Sequence, residues 1–142
     1  IVPIIDLTAT AEGSGLPTEL QQAIAFGNAG AFSVFNNTVD IVQSPGFYRV
    51  TCNVNVEGTG ADQFANLIIT DTATSKTVWS SFLTSAFSTS AFSSDNVDLI
   101  LFVDTNEIVR WDCSNHAISR GSVRQIATKN GVLVNPIGFN PQ

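Results

Sequence analysis

An alternating segment near the middle of the chain constrains the fold more than any other feature. Apolar side chains occupy every second position at Tyr48, Val50, Cys52, Val54 and Val56. Polar residues fill the positions between them from Arg49 to Asn55. Successive side chains of a strand point to opposite faces, so one face lies in a core and the other meets water or a polar contact. The segment is therefore predicted to be one long antiparallel strand.

Short segments with strand-like patterns continue from residue 31 towards the end of the chain. Turn signals rich in Gly, Pro, Asn and Asp separate them. The candidate strands span residues 31–35, 39–43, 47–56, 64–71, 77–84, 96–103, 107–113, 122–127 and 132–135. Many short strands at this spacing indicate a sandwich or barrel, and their number favours an eight-stranded jelly roll. Residues 97–103 and 108–113, joined by a short turn, are predicted to form a hairpin.

The first 30 residues differ from the rest of the chain. They begin with an apolar stretch made of Ile1, Val2, Pro3, Ile4 and Ile5. Its proline suits an edge strand or an arm that docks on another surface. Residues 8–15 are typical of a polar linker, and residues 17–26 of a short helix with a proline near its start. We therefore predict an arm, linker and short helix over residues 1–30 and a jelly-roll domain over residues 31–142. The absence of Met at position 1 leaves cleavage, a fragment and an untraced start as alternatives.

Composition narrows the class of protein. A chain of 142 residues with 44% hydrophobic residues can bury one core, and no apolar run approaches the roughly 20 residues of a membrane helix. The net charge is −6 with only six Lys and Arg, which leaves little electrostatic basis for binding nucleic acid or an anionic membrane. We expect neither partner. A surface rich in Ser, Thr and Asn rather than in ions suits a particle-bound or extracellular protein.

Two segments resemble the C1q/tumour-necrosis-factor family. Gly46, Tyr48 and Val50 match its Gly-x-Tyr-x-[Phe/Val] pattern at the start of a long strand, and residues 131–136 are similar to its final strand. The turn at residues 104–107 departs from the Gly-Asp turn of the family. The resemblance covers about residues 31–136. It implies an all-β, antiparallel jelly-roll sandwich that works as a homotrimer, here with an extended N-terminal arm and one short helix.

Few residues could carry catalysis or bind a metal. His116 is the only histidine, and with Cys113 it forms the one local pair that resembles a nucleophile and base. Such a pair needs an orienting third group, and two ligands fall short of the four in a structural zinc site. We expect neither an enzyme nor a cofactor. Cys52 and Cys113 are predicted to lie on strands far apart in the sandwich, as two buried thiols rather than a disulfide.

The candidate contact residues are aromatic. The sequence Thr-Ser-Ala-Phe-Ser occurs at residues 84–88 and again at 89–93, which places Phe87 and Phe92 five residues apart. Their rings either project as anchors at the apex of the sandwich or tuck beneath the loop. Residues 99–103 are apolar at consecutive positions, so alternation alone does not separate core from interface in that strand.

Two functions from different classes fit these observations. The first is a homotrimeric cement or decoration protein on a phage capsid surface. It would bind the major capsid protein and stabilise the shell, with residues 1–5 stapling neighbouring subunits. Residues 16–20 and 135–142 are similar to C1q-like proteins of marine phages, which supports this interpretation. The second is an extracellular C1q-like trimeric head of a fibre, which would bind a receptor or glycan through apical loops. The loop with Phe87 and Phe92, together with Trp79, favours it.

Overall fold

A computed structural model describes residues 30–134 of the chain. Its strands are β1 (Gly30–Val42), β2 (Gly46–Glu57), β3 (Gln63–Thr70), β4 (Ser75–Leu83), β5 (Phe92–Val103) and β6 (Ile108–Ala127). All pairings among them are antiparallel, and no helix occurs in residues 30–134, so this part has none that could cross a membrane. The predicted all-β, antiparallel, jelly-roll-like sandwich is confirmed. The predicted arm and short helix lie outside the described residues.

Two strands are shared by both layers of the sandwich. β6 pairs with β1 along one edge; along its other edge it pairs with β3 through residues 108–113 and with β2 through residues 117–127. β4 lies beyond β3, and β5 lies beyond β2. The sheet therefore has two four-stranded wings. The order is β5-β2-β6-β1 in one, called the β2 wing, and β4-β3-β6-β1 in the other, called the β3 wing.

The two wings meet at a bend in the middle of β6. Two steps along β1, from Phe35 to Asn37, correspond to the span from Ile118 back to Cys113 on β6, so the extra residues of β6 bulge here. The buried Gln63 side chain holds the bend. Its Oε1 accepts hydrogen bonds from Ser114 Oγ at 2.6 Å and from the His116 backbone N–H at 3.3 Å. Strands that bend from one layer into the other form the corners of such sandwiches.

The core fills the space between the wings. The alternation predicted for β2 is confirmed, because the side chains of Tyr48, Val50, Cys52, Val54 and Val56 are all buried. They join one apolar cluster with inward-facing residues of the β3 wing, above all Leu67 and Trp111. At the start of β2, Gly46 has a φ of 147°, and a Cβ there would lie 2.8 Å from the Ala127 carbonyl oxygen. This position of the resembled motif therefore requires glycine.

Several predicted strands join into longer ones. Residues 31–35 and 39–43 belong to β1, and residues 107–113 and 122–127 belong to β6, so the described residues form six strands rather than eight. The polar segment between the two halves of β6 stays extended because residues 117–121 pair with β2, residues 118–121 also pair with β1, and Gln63 bonds to Ser114 and to the His116 N–H. When the two halves of β1 and β6 are counted separately, each wing has four strand segments. Of the predicted last strand, the structure describes a single bridge between Ala127 and Leu133.

The predicted hairpin of residues 97–103 and 108–113 is wrong. The turn between them forms, because the Glu107 N–H donates a hydrogen bond to the Asp104 carbonyl oxygen at 3.1 Å. However, β5 pairs with β2, whereas residues 108–113 pair with β3 and β1. The turn therefore carries the chain from one wing to the other. A turn signal fixes a reversal of the chain but not the partner of each strand.

Candidate functional site

The outward side of the β2 wing concentrates the positive charge of this acidic protein. Arg49 on β2 and Arg120 and Arg124 on β6 all point away from the core, and together they are half of the six Lys and Arg in the chain. We call the outward side of β5, β2 and residues 118–124 of β6 the basic face. Its remaining positions combine Ser, Thr and Asn with apolar side chains and two carboxylates.

Arginines crowd the centre of the basic face. Arg49 and Arg124 are direct cross-strand neighbours, and like charges in that position repel. Asp98 on β5 partly offsets this repulsion, since its Oδ2 lies 2.7 Å from Arg49 Nη2 and its Oδ1 accepts a second hydrogen bond from Arg49 Nε. The hydrogen bonds from Arg49 lower the pKa of the Asp98 carboxyl. Arg120 is exposed and has no hydrogen bond or ion pair with any side chain of residues 30–134.

The outward side of the β3 wing has the opposite charge balance. We call the outward side of β4, β3 and residues 108–113 of β6, with residues 37–42 of β1, the acidic face. Asp40 pairs there with Arg110, whose Nε lies 3.0 Å from Asp40 Oδ1. Asp112 accepts a hydrogen bond from Thr38 Oγ1 at 2.9 Å but forms no ion pair within the described residues. One carboxylate of this face is thus left without a countercharge.

Both faces also expose large apolar side chains. On the basic face Ile100 is 64% exposed, and the Phe102 ring packs beside Phe47 at 4.9 Å between centroids. On the acidic face Phe82 is 51% exposed next to its cross-strand partner Phe64. The inward partners in residues 99–103 are Leu99 and Leu101, which pack on the core. Grouped exposed apolar side chains mark interaction surfaces more often than single ones do.

A groove lies at one end of the basic face, next to the bend of β6. Its volume is about 340 Å³, and Phe35, Phe92, Ile118, Asn55, Glu57 and His116 contribute to its lining. Phe35 and Phe92 are 58% and 66% exposed. The groove thus combines apolar rings with amide and carboxylate groups, and it is continuous with the basic face.

The structure separates the two candidate aromatic anchors. Phe92 begins β5 and lines the groove, whereas Phe87 lies in the loop between β4 and β5. That loop consists of two successive turns, and the Phe87 carbonyl oxygen accepts a hydrogen bond from the Gly60 N–H at 3.0 Å. Both rings are exposed rather than tucked beneath the loop. Trp79, predicted to support recognition, instead packs against Trp111 of the core at 5.8 Å between ring centroids.

The residues with potential catalytic chemistry do not form a site. Cys113 is buried in the core, whereas His116 is exposed and lines the groove, and no hydrogen bond within the described residues joins their side chains. Residues 30–134 contain no group of three or more His, Cys, Asp or Glu side chains placed to hold a metal ion.

The two cysteines are buried free thiols, as predicted. The prediction that they lie far apart is wrong, because Ser119 of β6 adjoins both thiols and an ionised Cys52 would raise the pKa of Cys113. The reason is that β2 and β6 are neighbours, with Cys52 directly opposite Gly121. Burial raises the pKa of both thiols, and for Cys113, where the Asp112 carboxylate adds to the effect, to about 12.

These thiols are expected to resist alkylation in the folded protein. Relative to an ordinary pKa of 9.0, a value near 12 lowers the thiolate fraction of Cys113 at pH 8 about 1,000-fold, and burial slows access further. Iodoacetamide labelling followed by mass spectrometry should therefore be at least 100-fold slower in buffer than in guanidinium chloride. Stability should also fall as the pH rises from 9 towards 12, because only the unfolded state releases these protons in that window. Labelling of the folded protein at a rate within tenfold of the unfolded rate would contradict this expectation.

The predicted docking arm of Ile1, Val2, Pro3, Ile4 and Ile5 lies outside the described residues. Of the resembled motif, Gly46, Tyr48 and Val50 all lie at the start of β2 and face inward, so they shape the core rather than a contact surface. Sequence reasoning missed the two charged faces. Their residues come from strands distant in the chain, and only the strand pairing brings them together.

Two solved structures are similar to this chain over almost its whole length. The crystal structure of a pentameric capsid protein isolated from metagenomic phage sequences, solved by iodide SAD phasing, shares 30% sequence identity with a TM-score of 0.71; the match covers 96% of this chain and 86% of that chain. A second crystal structure of a pentameric capsid protein isolated from metagenomic phage sequences shares 32% identity with a TM-score of 0.70, covering 96% and 82%. No protein-family model and no curated protein matches the chain.

Proposed function

The chain belongs to the same family as these two phage capsid proteins, and we propose that it is a structural protein of a phage virion that assembles with copies of itself into a closed ring. The observation that carries this proposal is sequence identity of 30% and 32% over 96% of the chain, together with the shared fold. The matched proteins are structural components of capsids. We propose no enzymatic role.

The size of the ring is part of the proposal. Both matched proteins are pentameric, which supports a ring of five copies. The resemblance of Gly46, Tyr48 and Val50 to the C1q/tumour-necrosis-factor family implies a trimer instead, and that family assignment stays a prediction. Exposed apolar side chains on both wings, such as Ile100 and Phe82, support self-association of either size, since monomers rarely expose several of them together.

The cement role is a finer version of the same function. In it the ring sits on the capsid surface and binds the major capsid protein, and residues 1–5 dock on the shell. Several weak arms on one ring bind far more tightly than one arm, because the first contact raises the effective concentration of the others. The receptor- or glycan-binding head stays a prediction; the exposed rings of Phe87 and Phe92 are its supporting observation.

The expected result is an oligomer whose mass is a fixed multiple of the 15.1 kDa chain. Sedimentation velocity and native mass spectrometry at about 10 µM should give one species, and class averages from negative-stain electron microscopy should show its symmetry. Fivefold averages support the pentamer and threefold averages the trimer, whereas a monomer at this concentration contradicts the proposal. Co-sedimentation with shells of the major capsid protein, with and without residues 1–5, then tests the cement role: loss of binding with an intact ring supports it, and unchanged binding contradicts it.

A further inference from the structure

We propose that the basic face of one copy packs on the acidic face of the next copy, so that these two faces form the repeating interface of the ring. The inference rests on the proposed self-assembly and adds which surfaces meet. A closed ring of more than two copies needs two different surfaces on each chain, because every copy contacts its two neighbours in a head-to-tail manner. The two outer faces of the sandwich are such a pair of surfaces.

Charge complementarity is the first argument for this pairing. The basic face has three arginines against two carboxylates, Asp98 beside Arg49 and Glu57 at the groove end, and Arg120 has no side-chain partner within the described residues. The acidic face has two carboxylates and one arginine, and Asp112 lacks a countercharge. Opposite charges across an interface select the partner and its orientation. Each face thus offers the charge that the other one lacks.

Charge repulsion disfavours a symmetric contact, in which two copies meet through their basic faces. If two copies met through the same face, the arginine-rich centre of one basic face would lie against that of another. The cross-strand pair of Arg49 and Arg124 already places two like charges side by side within one chain. Like charges brought together at an interface cost several kcal/mol in general, so a symmetric contact through the basic face is disfavoured.

Apolar side chains and the shape of the fold support the same assignment. Ile100 and Phe102 on the basic face, and Phe82 with Phe64 on the acidic face, supply apolar surface on both sides of the contact. Both wings run through β1 and β6, so the two outer faces converge at the bend of β6 as the sides of one wedge. Head-to-tail contacts close into a ring when the rotation from one copy to the next completes a circle, and two faces inclined to each other supply a rotation at each contact.

Charge reversal tests the assignment. Arg120→Asp should raise the protein concentration at half-dissociation of the oligomer roughly 100-fold, and Asp112→Arg should do the same. The double variant Arg120→Asp with Asp112→Arg should restore assembly to within about tenfold of the unchanged protein, because every interface then has the charges exchanged. Sedimentation velocity over a dilution series measures all three. Lys76→Asp makes the same charge change as Arg120→Asp and is the matched control. Lys76 is exposed and lies opposite Ile69 on the inward side of β4, outside both faces, so this variant should leave assembly unchanged.

A mixing experiment separates head-to-tail from symmetric contacts. Under the proposal, neither single variant forms rings alone, but a mixture of the two gives hetero-oligomers that contain both variants by native mass spectrometry. Since five copies cannot alternate throughout, such rings contain the variants in a 3:2 ratio with one unrestored contact. If only one of the two variants fails to assemble, or if the double variant is not rescued, the assignment is wrong. Circular dichroism melts verify folding. Should a reversal unfold the chain, Arg120→Gln and Asp112→Asn remove the charges instead, and each should still weaken assembly about tenfold.

The outcomes also separate this inference from the proposed function. Rings that persist unchanged in both single variants contradict the assignment of the two faces and leave the ring itself standing. If the protein without any substitution is a monomer, both the proposed ring and this assignment of its interface are contradicted.

Discussion

Replacement of Trp111 by alanine is expected to lower the free energy of unfolding by about 3–5 kcal/mol, the usual cost of deleting a large buried aromatic side chain. Trp111 has no exposed surface and lies opposite Leu67 of β3 on one side and Val39 of β1 on the other. Its ring also meets Trp79 edge to face. Since domains of this size are stable by only about 5–15 kcal/mol, the loss is a large share of the total. Guanidinium chloride unfolding at one fixed protein concentration measures it.

Two further variants show whether packing is the cause. Trp111→Phe retains most of the apolar contact and removes an indole N–H that has no hydrogen-bond partner in the described residues, so it should cost clearly less, about 1–2 kcal/mol. Trp79→Ala deletes the other ring at a half-buried position and should cost less than Trp111→Ala. Equal losses for Trp111→Ala and Trp79→Ala would show that burial between the wings is not the source of the effect.

The inward rows of the sandwich could be predicted from the sequence because they depend on local alternation. Tyr48 to Val56 alternate without interruption, and every apolar member is buried. The rest depended on pairing between distant segments. The polar residues 114–116 have the composition of a loop, yet they stay in β6 because Gln63, about 50 positions earlier, bonds to them. The turn at residues 104–107 was recognised, whereas the partners of β5 and β6 could not be inferred from it.

The candidate interface shows the same limit more clearly. Arg49, Arg120 and Arg124 are unremarkable polar positions in the sequence, and only the pairing of β2 with β6 places them on one face. Ile100 and Phe102 were recognised as apolar positions that alternation could not assign. The structure places them outward beside those arginines, with Leu99 and Leu101 in the core. The local sequence pattern thus identified side chains that could lie either in the core or at an interface. Only the strand pairing of the fold shows which side each one faces.

Gly121→Ala is expected to destabilise the protein by about 3 kcal/mol, at the upper end of the range for overpacking substitutions. A Cβ at this position would collide with the Thr51 carbonyl oxygen and with Cα and Cβ of Cys52, all closer than real Cβ atoms approach. Two of these three atoms belong to the backbone of β2, which cannot turn away as a side chain can. The methyl group therefore fits only if β2 moves away from β6. This movement breaks hydrogen bonds between β2 and β6, the two strands that carry the arginines of the basic face.

Gly30→Ala is the matched control for this substitution. Gly30 of β1 contacts β6 along the edge opposite to the one that pairs with β2. A Cβ at Gly30 would lie 3.2 Å from Cγ1 of Val123, a side-chain atom that a small rotation displaces. Its expected cost is below about 1 kcal/mol. Urea unfolding of both variants, with hydrogen exchange of β2 amides, distinguishes the causes: Gly121→Ala should lose protection across residues 50–54 while Gly30→Ala retains it. If both variants are equally stable, β2 and β6 do not approach as closely at Gly121 as the structure has them. The pairing of β2 with β6, which brings Arg49 beside Arg124 on the basic face, would then be contradicted.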